Sequence, residues 1–157
     1  MKKSVLAAAI FGAAVAGAAI LGSQFTPQGN RREWYESLEK PPFNPPDLAF
    51  PIAWTTLYAL IAVSGFRVWR TEQGSERTRA LALWTTQLAL NAAWSPIFFG
   101  ARRPGLALVD LGAMLVAIAV YTSAARRVDR PAAWMMVPYL GWVTFAGVLN
   151  AEIVRRN

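Results

Sequence analysis

Amide and aromatic side chains recur at helical spacing on three apolar stretches of this chain, and they are its main candidates for binding chemistry. Asn91 lies near the middle of one stretch. An amide there is costly unless it bonds to a neighbouring helix or faces a cavity, and both interpretations stay open. Trp54 and Tyr58 are four residues apart, as are Trp142 and Ala146, so each pair shares a helical face. Together the three stripes predict a pocket suited to a flat, apolar, conjugated ligand.

The carboxylate of Asp110 is the one charged group inside the apolar stretches. It lies five residues after the start of its stretch, about 8 Å deep at the helical rise. An intramembrane carboxylate is a functional candidate by default. The favoured interpretation is structural, with a helix end, a hydroxyl or an inward-reaching Arg102 or Arg103 as partner. A proton site is the alternative.

The chain contains neither cysteine nor histidine. This excludes a disulfide framework, a Cys/His zinc site and a Ser-His or Cys-His nucleophile pair. A haem iron could be held only by Tyr or Met, or by no axial ligand at all. The sequence therefore predicts no metal centre and no catalytic residue of a familiar type.

Five stretches are long and apolar enough to cross a bilayer, which needs roughly 20 apolar residues for about 30 Å of hydrocarbon. They leave no room for a separate soluble domain in 157 residues. The predicted fold is all-α, an integral membrane bundle of five transmembrane helices in one domain, residues 1–157. The spans are Val5–Gly22, Leu48–Phe66, Ala80–Ala101, Gly105–Ala125 and Pro131–Ala151.

The net charge of +7 does not indicate a nucleic-acid partner, because the basic residues sit between the spans. Basic residues at membrane edges meet lipid phosphates and set topology. Nine Lys/Arg on the N-terminal side against seven on the other favour a cytoplasmic N-terminus. Lys2 and Lys3 before an apolar run resemble a secretory signal, but the run is long for one, and we interpret it as a retained first span.

The first connection, residues 23–47, is long and rich in aromatic residues, and we expect it to act as a lid. Residues 34–40 are predicted to form a short amphipathic helix. The four prolines within Pro41–Pro46 forbid a helix and favour a stiff, extended segment. Pro96 is expected to kink the third span. Small residues at spacing four in the first span, such as Ala9, Ala13 and Gly17, favour helix packing or dimerisation.

Specific motifs now add a resemblance to a known family. The first connection and second span carry Trp34-Tyr35, Lys40-Pro41, Pro45-Pro46, Trp54 and Leu57-Tyr58. The third span carries Gln87-Leu88-Ala89-Leu90-Asn91 and Trp94-Ser95-Pro96-Ile97-Phe98-Phe99. Later come Ala107-Leu108-Val109-Asp110, Val137-Pro138-Tyr139-Leu140-Gly141-Trp142 and Leu149-Asn150. From about residue 33 onward the chain resembles bacterial members of the translocator protein family, also called tryptophan-rich sensory proteins.

The resemblance implies a five-helix fold with a pocket beneath the first loop, often in a homodimer in the cell membrane. It implies binding of porphyrins such as protoporphyrin IX, and of haem, as ligands rather than as an obligatory cofactor, in a sensory, regulatory or transport role. Lys40, Arg31 or Arg32 could meet ligand propionates. The ligand-contacting positions of the family fall at Tyr35, Pro45, Trp54, Tyr58, Asn91, Trp94, Trp142 and Ala146.

The resemblance also implies an alternative, an enzyme that degrades porphyrin with light and oxygen through Trp54 and Trp142. Two positions depart from the family. Phe43 stands where members often have tryptophan, which should weaken stacking in the lid. Ala151 stands where animal members carry the tyrosine of a proposed cholesterol motif, so sterol transport is not expected here.

Overall fold

The structure is a computed structural model that describes residues 2–157, and within that range it contains helices and no strands. Five helices are long and two are short. A π-helical turn over Pro96–Gly100 continues the fourth helix. The helices are α1 (Lys2–Gln24), α2 (Asn30–Ser37), α3 (Ala49–Trp69), α4 (Ser75–Ser95), α5 (Pro104–Val128), α6 (Arg130–Trp134) and α7 (Val137–Arg156).

Four helical segments in the described range are long and apolar enough to cross a membrane: α1, α3, α5 and the combined α6–α7 segment. The chain is therefore a multi-pass membrane protein. The predicted third span, residues 80–101, is not among them. α4 has the length, but it begins with a polar turn containing Glu76, and its Gln87 and Asn91 are buried inside the bundle. Polar residues along α4, among them Arg79, Gln87 and Asn91, lower its apolar content.

α4 contacts several other elements on one side and is exposed on the other. This helix packs most extensively against α5 and also lies beside α1, α3 and the π-helical turn. α1 packs along α3, and α5 packs along α7. α3 and α7 meet through aromatic side chains rather than through extended close approach of their backbones. The gap between these two helices belongs to a cavity that opens beneath the first connection.

Gly65 lies at a close approach between helices. A Cβ at this position would lie 2.6 Å from the Trp84 indole on α4 and 2.8 Å from the Phe11 ring on α1. The Trp84 indole N–H donates to the Ile61 carbonyl over 2.9 Å, and the Phe11 ring packs edge-to-face on Trp84. Three helices therefore meet at one glycine.

A polar network closes the end of the bundle opposite the cavity. Arg67 on α3 donates two 3.1 Å hydrogen bonds to the Asp129 carboxylate. Asp129 also accepts from the Ala132 backbone N–H, which caps α6. The Ser64 hydroxyl lies 2.8 Å from the Tyr121 hydroxyl and donates to the Ala132 carbonyl. α5 continues to Val128, so Asp129 alone separates it from α6.

The first connection also differs in detail from its prediction. The expected helix over 34–40 instead spans Asn30–Ser37 and follows Gly29, whose φ of 52° suits glycine. The proline segment is non-helical as expected, but it contains a turn in which the Asn44 N–H bonds to the Pro41 carbonyl over 3.0 Å. At Pro96 the helix widens to π geometry, and the Ala101 N–H reaches the Pro96 carbonyl over 2.8 Å.

Candidate functional site: an aromatic cavity beneath the first connection

A cavity of about 720 Å³ lies between the helices at the end covered by α2 and the proline segment. Its volume falls in the range of about 300–1,000 Å³ typical of small-molecule sites. Of the predicted ligand-contacting residues, seven line it and Pro45 does not. The seven are Tyr35, Trp54, Tyr58, Asn91, Trp94, Trp142 and Ala146.

One wall is built by aromatic side chains of α3 and α7. The Trp54 ring lies 5.3 Å from the Tyr58 ring at an interplanar angle of 30°, and 6.4 Å from the Trp142 ring at 84°. Phe50 packs edge-to-face on Trp142 at 5.9 Å. The i, i+4 spacing on α3 places Trp54 and Tyr58 on the same face. These rings hold one another in place, so the wall is largely pre-formed.

The Asn91 amide forms the polar floor of the cavity. Its Oδ1 accepts a 3.1 Å bond from the Tyr58 hydroxyl, and its Nδ2 donates a 2.9 Å bond to the Tyr139 hydroxyl. The Tyr139 hydroxyl also lies 3.5 Å from the Met114 sulfur. Asn91 is 7% exposed and lines the cavity. Both interpretations left open by the sequence therefore hold, since the residue joins three helices and also faces the cavity.

A second part of the lining comes from α4 and α7. The Trp94 indole N–H donates over 3.3 Å to Oδ1 of Asn150, whose Nδ2 donates to the Pro104 carbonyl over 2.8 Å. Trp94 stacks on Phe98 with ring centroids 4.9 Å apart. Phe98 belongs to the π-helical turn, so that turn orients the wall.

The part of the first connection that covers the cavity, here called the roof, contributes charged residues to the lining. Lys40 lines the cavity, with its Nζ 4.4 Å from the centre of the Tyr35 ring. Arg32 also lines it but is exposed and bonded to Glu36 over 2.7 Å. Arg31 lies outside the lining. Burial, reinforced by the negative charge of Asp47, raises the pKa of the Tyr35 hydroxyl, so it stays neutral at physiological pH.

Two buried polar atoms of cavity-lining residues have no hydrogen-bond partner within residues 2–157. They are the indole nitrogen of Trp142 and the side-chain oxygen of Asn44. One is a donor and the other an acceptor. A bound molecule with both kinds of polar edge would satisfy groups that the protein leaves unpaired.

Several lining residues were not predicted from the sequence. Leu149 and Ile153 lie about one and two turns after Ala146 on α7, and extending the Trp142–Ala146 stripe would have found them. Leu111 and Met114 on α5, and small residues of α1 such as Gly22, line the cavity as well. The α1 residues carry no chemical signal, because they contribute only space.

Asp110 lies outside the cavity lining, and the structure corrects its expected pairing. Within residues 2–157 its carboxylate has no hydrogen-bond donor and no cation within salt-bridge distance, and its Oδ2 is buried. Arg102 instead donates to the Asn30 carbonyl and lies over the Trp34 ring. The structural partner that the sequence led us to expect is therefore not present in the described chain.

These features define a small, multi-pass helical membrane protein with an aromatic cavity at one end of its bundle. The chain belongs to the TspO/MBR family, whose model matches residues 9–156. It is 42% identical over 141 residues to the translocator protein of Bos taurus, covering 87% of this chain and 81% of the relative. It is 42% identical over 125 residues to the tryptophan-rich sensory protein of Cereibacter sphaeroides, covering 80% and 77%. It is 36% identical over 159 residues to the tryptophan-rich protein TspO of Chlorobaculum tepidum, covering 100% and 99%.

Proposed function

We propose that this protein binds a tetrapyrrole, such as protoporphyrin IX or haem, in the aromatic cavity and acts in sensing, regulation or transport. The observation that carries the proposal is the set of three indoles, Trp54, Trp94 and Trp142, around a cavity of about 720 Å³. Indole faces stack well on flat conjugated rings. A planar macrocycle would therefore gain contact on more than one side without rearrangement of the helices.

The rim supports an amphipathic ligand of this class. Lys40 has no carboxylate partner among the described residues, whereas Arg32 is held by Glu36. We therefore propose Lys40 as the cation that meets a ligand carboxylate, by a charge-assisted hydrogen bond. The unpaired indole N–H of Trp142 offers a second polar contact inside the cavity. Haem would be held mainly by its faces and rim, because the chain offers no histidine or cysteine ligand.

The name of one relative fits a sensory role. One is called a tryptophan-rich sensory protein, and a relative in Rhodobacter capsulatus, 40% identical over 131 residues, is called protein CrtK. We extend the word sensory to this chain as part of the proposal. The site gives a sensory role a physical basis. A ligand that orders the roof could change the surface that the first connection exposes to other molecules.

The membrane arrangement belongs to the same proposal. We propose that α4 also crosses the bilayer, since it packs along α5 and beside α1 and α3, and that the first connection is the lid. The N-terminus would be cytoplasmic in a bacterial cell membrane. A homodimer is supported by Ala9, Ala13 and Gly17 of α1, which stay exposed in the single chain.

Light- and oxygen-dependent degradation of porphyrin remains the alternative function. It is favoured by one observation, the contact of the oxidisable rings of Trp54 and Trp142 with each other and the position of both in the cavity lining. An illuminated, aerated mixture would yield an open-chain tetrapyrrole at a rate proportional to protein only if the protein is an enzyme. Unchanged porphyrin after illumination would contradict the degradation function and leave binding as the function.

Titration of the purified protein with protoporphyrin IX in detergent tests the proposal. The quenching of tryptophan fluorescence should saturate at a fixed ratio of ligand to chain, because three cavity tryptophans lie beside the ligand. An unrelated helical membrane protein in the same detergent is the control for partition into micelles. Quenching that is linear and equal in both proteins would contradict the proposed function.

A further inference from the structure

Residues 39–43 of the first connection, here called the strap, are fastened to α7 at two places. Backbone and side-chain amides form the first. The Glu39 N–H donates to Oδ1 of Asn157 over 3.0 Å, and Nδ2 of Asn157 donates to the Glu39 carbonyl over 3.1 Å. The second is the edge-to-face pair of Phe43 and Phe145, with ring centroids 6.5 Å apart.

The Asn157 amide can hold the strap in one position because the amide is itself bonded to α7. Its Nδ2 also donates to the Ile153 carbonyl of α7 over 2.9 Å. The two bonds to Glu39 form a reciprocal amide-to-peptide pair, which fixes the direction of the strap as well as its distance. Both bonds are exposed to water, so their net strength is modest and they can open and close reversibly.

Movement of the strap would change the cavity. It carries Lys40, which lines the cavity between the two anchors. Pro41 and Pro42 restrict its backbone, so it should move as a unit rather than unravel. α2 is attached elsewhere, through Trp34 and Tyr35 on the rings of Phe98 and Phe99. Release of the α7 anchors would therefore loosen the strap while α2 keeps its own contacts.

We propose that Asn157 is the positioning residue whose amide holds the strap closed over α7, and that it thereby sets how often the proposed lid opens as the gate of the cavity. The inference rests on the proposed function, because a gate requires that the cavity take a ligand. The ligand enters and leaves when both α7 anchors release. Loosening an anchor raises the population of the open state in the free and in the bound protein alike. Association and dissociation should then accelerate together, with little change in affinity.

Asn157→Ala, in the full chain in detergent, tests the gate in two ways. Hydrogen–deuterium exchange at the Glu39 amide should accelerate by about fivefold, the size expected for loss of a modest hydrogen bond. Stopped-flow fluorescence with protoporphyrin IX should show both rate constants raised by about the same factor and the Kd changed by less than about twofold. Asn157→Asp keeps the acceptor for the Glu39 N–H and should give intermediate values.

Arg155→Ala is the matched control, since Arg155 is exposed near the end of the same helix and its side-chain bonds go to Glu152 of that helix. It should leave exchange and both rate constants unchanged. Phe43→Ala removes the second anchor without touching the cavity lining, and it should accelerate both rates as Asn157→Ala does.

The outcomes separate this inference from the proposed function. Unchanged Glu39 exchange in Asn157→Ala would show that the latch, meaning the pair of hydrogen bonds between Glu39 and Asn157, is not formed in solution. This result would overturn the inference. Faster exchange with unchanged rate constants would show that the strap does not gate the cavity. Absence of saturable protoporphyrin quenching in the unmodified protein would remove the proposed function, and the gate with it, while protected Glu39 exchange would still establish the latch.

Discussion

The side-chain amide of Asn91 donates a 2.9 Å hydrogen bond to the Tyr139 hydroxyl, which joins α4 to α7 at the floor of the cavity. The same amide accepts from Tyr58 on α3. Three helices that are far apart in sequence are thus connected through one polar side chain. In an apolar environment such groups have few other partners, so the connection also fixes how the helices are arranged around the cavity.

Asn91→Leu should therefore lower the stability of the folded bundle. It removes both interhelical bonds and leaves two tyrosine hydroxyls without this partner, which we expect to cost about 1–3 kcal/mol. Thermal melting in detergent measures the effect. Thr86→Val on the same helix is the control, because Thr86 is exposed and, within residues 2–157, its hydroxyl bonds to the Ala82 carbonyl of its own helix. Equal melting temperatures for Asn91→Leu and the unmodified protein would contradict the bridging role.

Trp142→Ala should weaken protoporphyrin binding by about 1–2 kcal/mol, the range for loss of an aromatic contact and its buried area. Trp69→Ala should change affinity little, because Trp69 lies outside the cavity and stacks on Phe66 at 6.2 Å. Fluorescence titration of both variants gives the comparison. Equal losses of affinity would mean that the tryptophans act through folding rather than through the cavity.

Asp110→Asn should preserve both protoporphyrin affinity and folding. Asp110 does not line the cavity, and its carboxylate has no donor within the described chain. Removing an unpaired charge from an apolar helix is expected to leave the melting temperature unchanged or to raise it. A clear fall in melting temperature would reveal a partner outside the single chain. A loss of pH-dependent ligand flux in the folded variant would instead favour the proton site.

Gly65→Ala should destabilise the bundle by about 1–3 kcal/mol, because the new Cβ would meet the Trp84 and Phe11 rings at 2.6–2.8 Å. Gly112→Ala is the matched control on α5, where a Cβ would have no atom within 4 Å. It should be neutral or stabilising by up to about 1 kcal/mol, since alanine favours helices more than glycine does. Similar melting temperatures for the two variants would refute the tight packing at Gly65.

The sequence by itself determined the helical membrane class and part of the cavity lining, including the three tryptophans that line it. Apolar length and periodicity are local properties, so all five long helices could be located from them, although α4 is not among the four segments apolar enough to cross a membrane. The spacing of Trp54 and Tyr58, and of Trp142 and Ala146, fixed which residues share a face. That was enough to identify a set of aromatic side chains that does line one cavity.

Only the tertiary structure decided which partners these side chains meet. Periodicity places Asn91 on a face but does not show that Tyr58 and Tyr139 lie opposite it, because that depends on how whole helices are arranged. Sequence proximity suggested an arginine partner for Asp110, yet Arg102 reaches α2 instead. Glu39 and Asn157 are 118 positions apart, and nothing local links them. Their bond exists because the bundle brings the end of α7 beside the first connection, a consequence of packing that no single stretch of chain encodes.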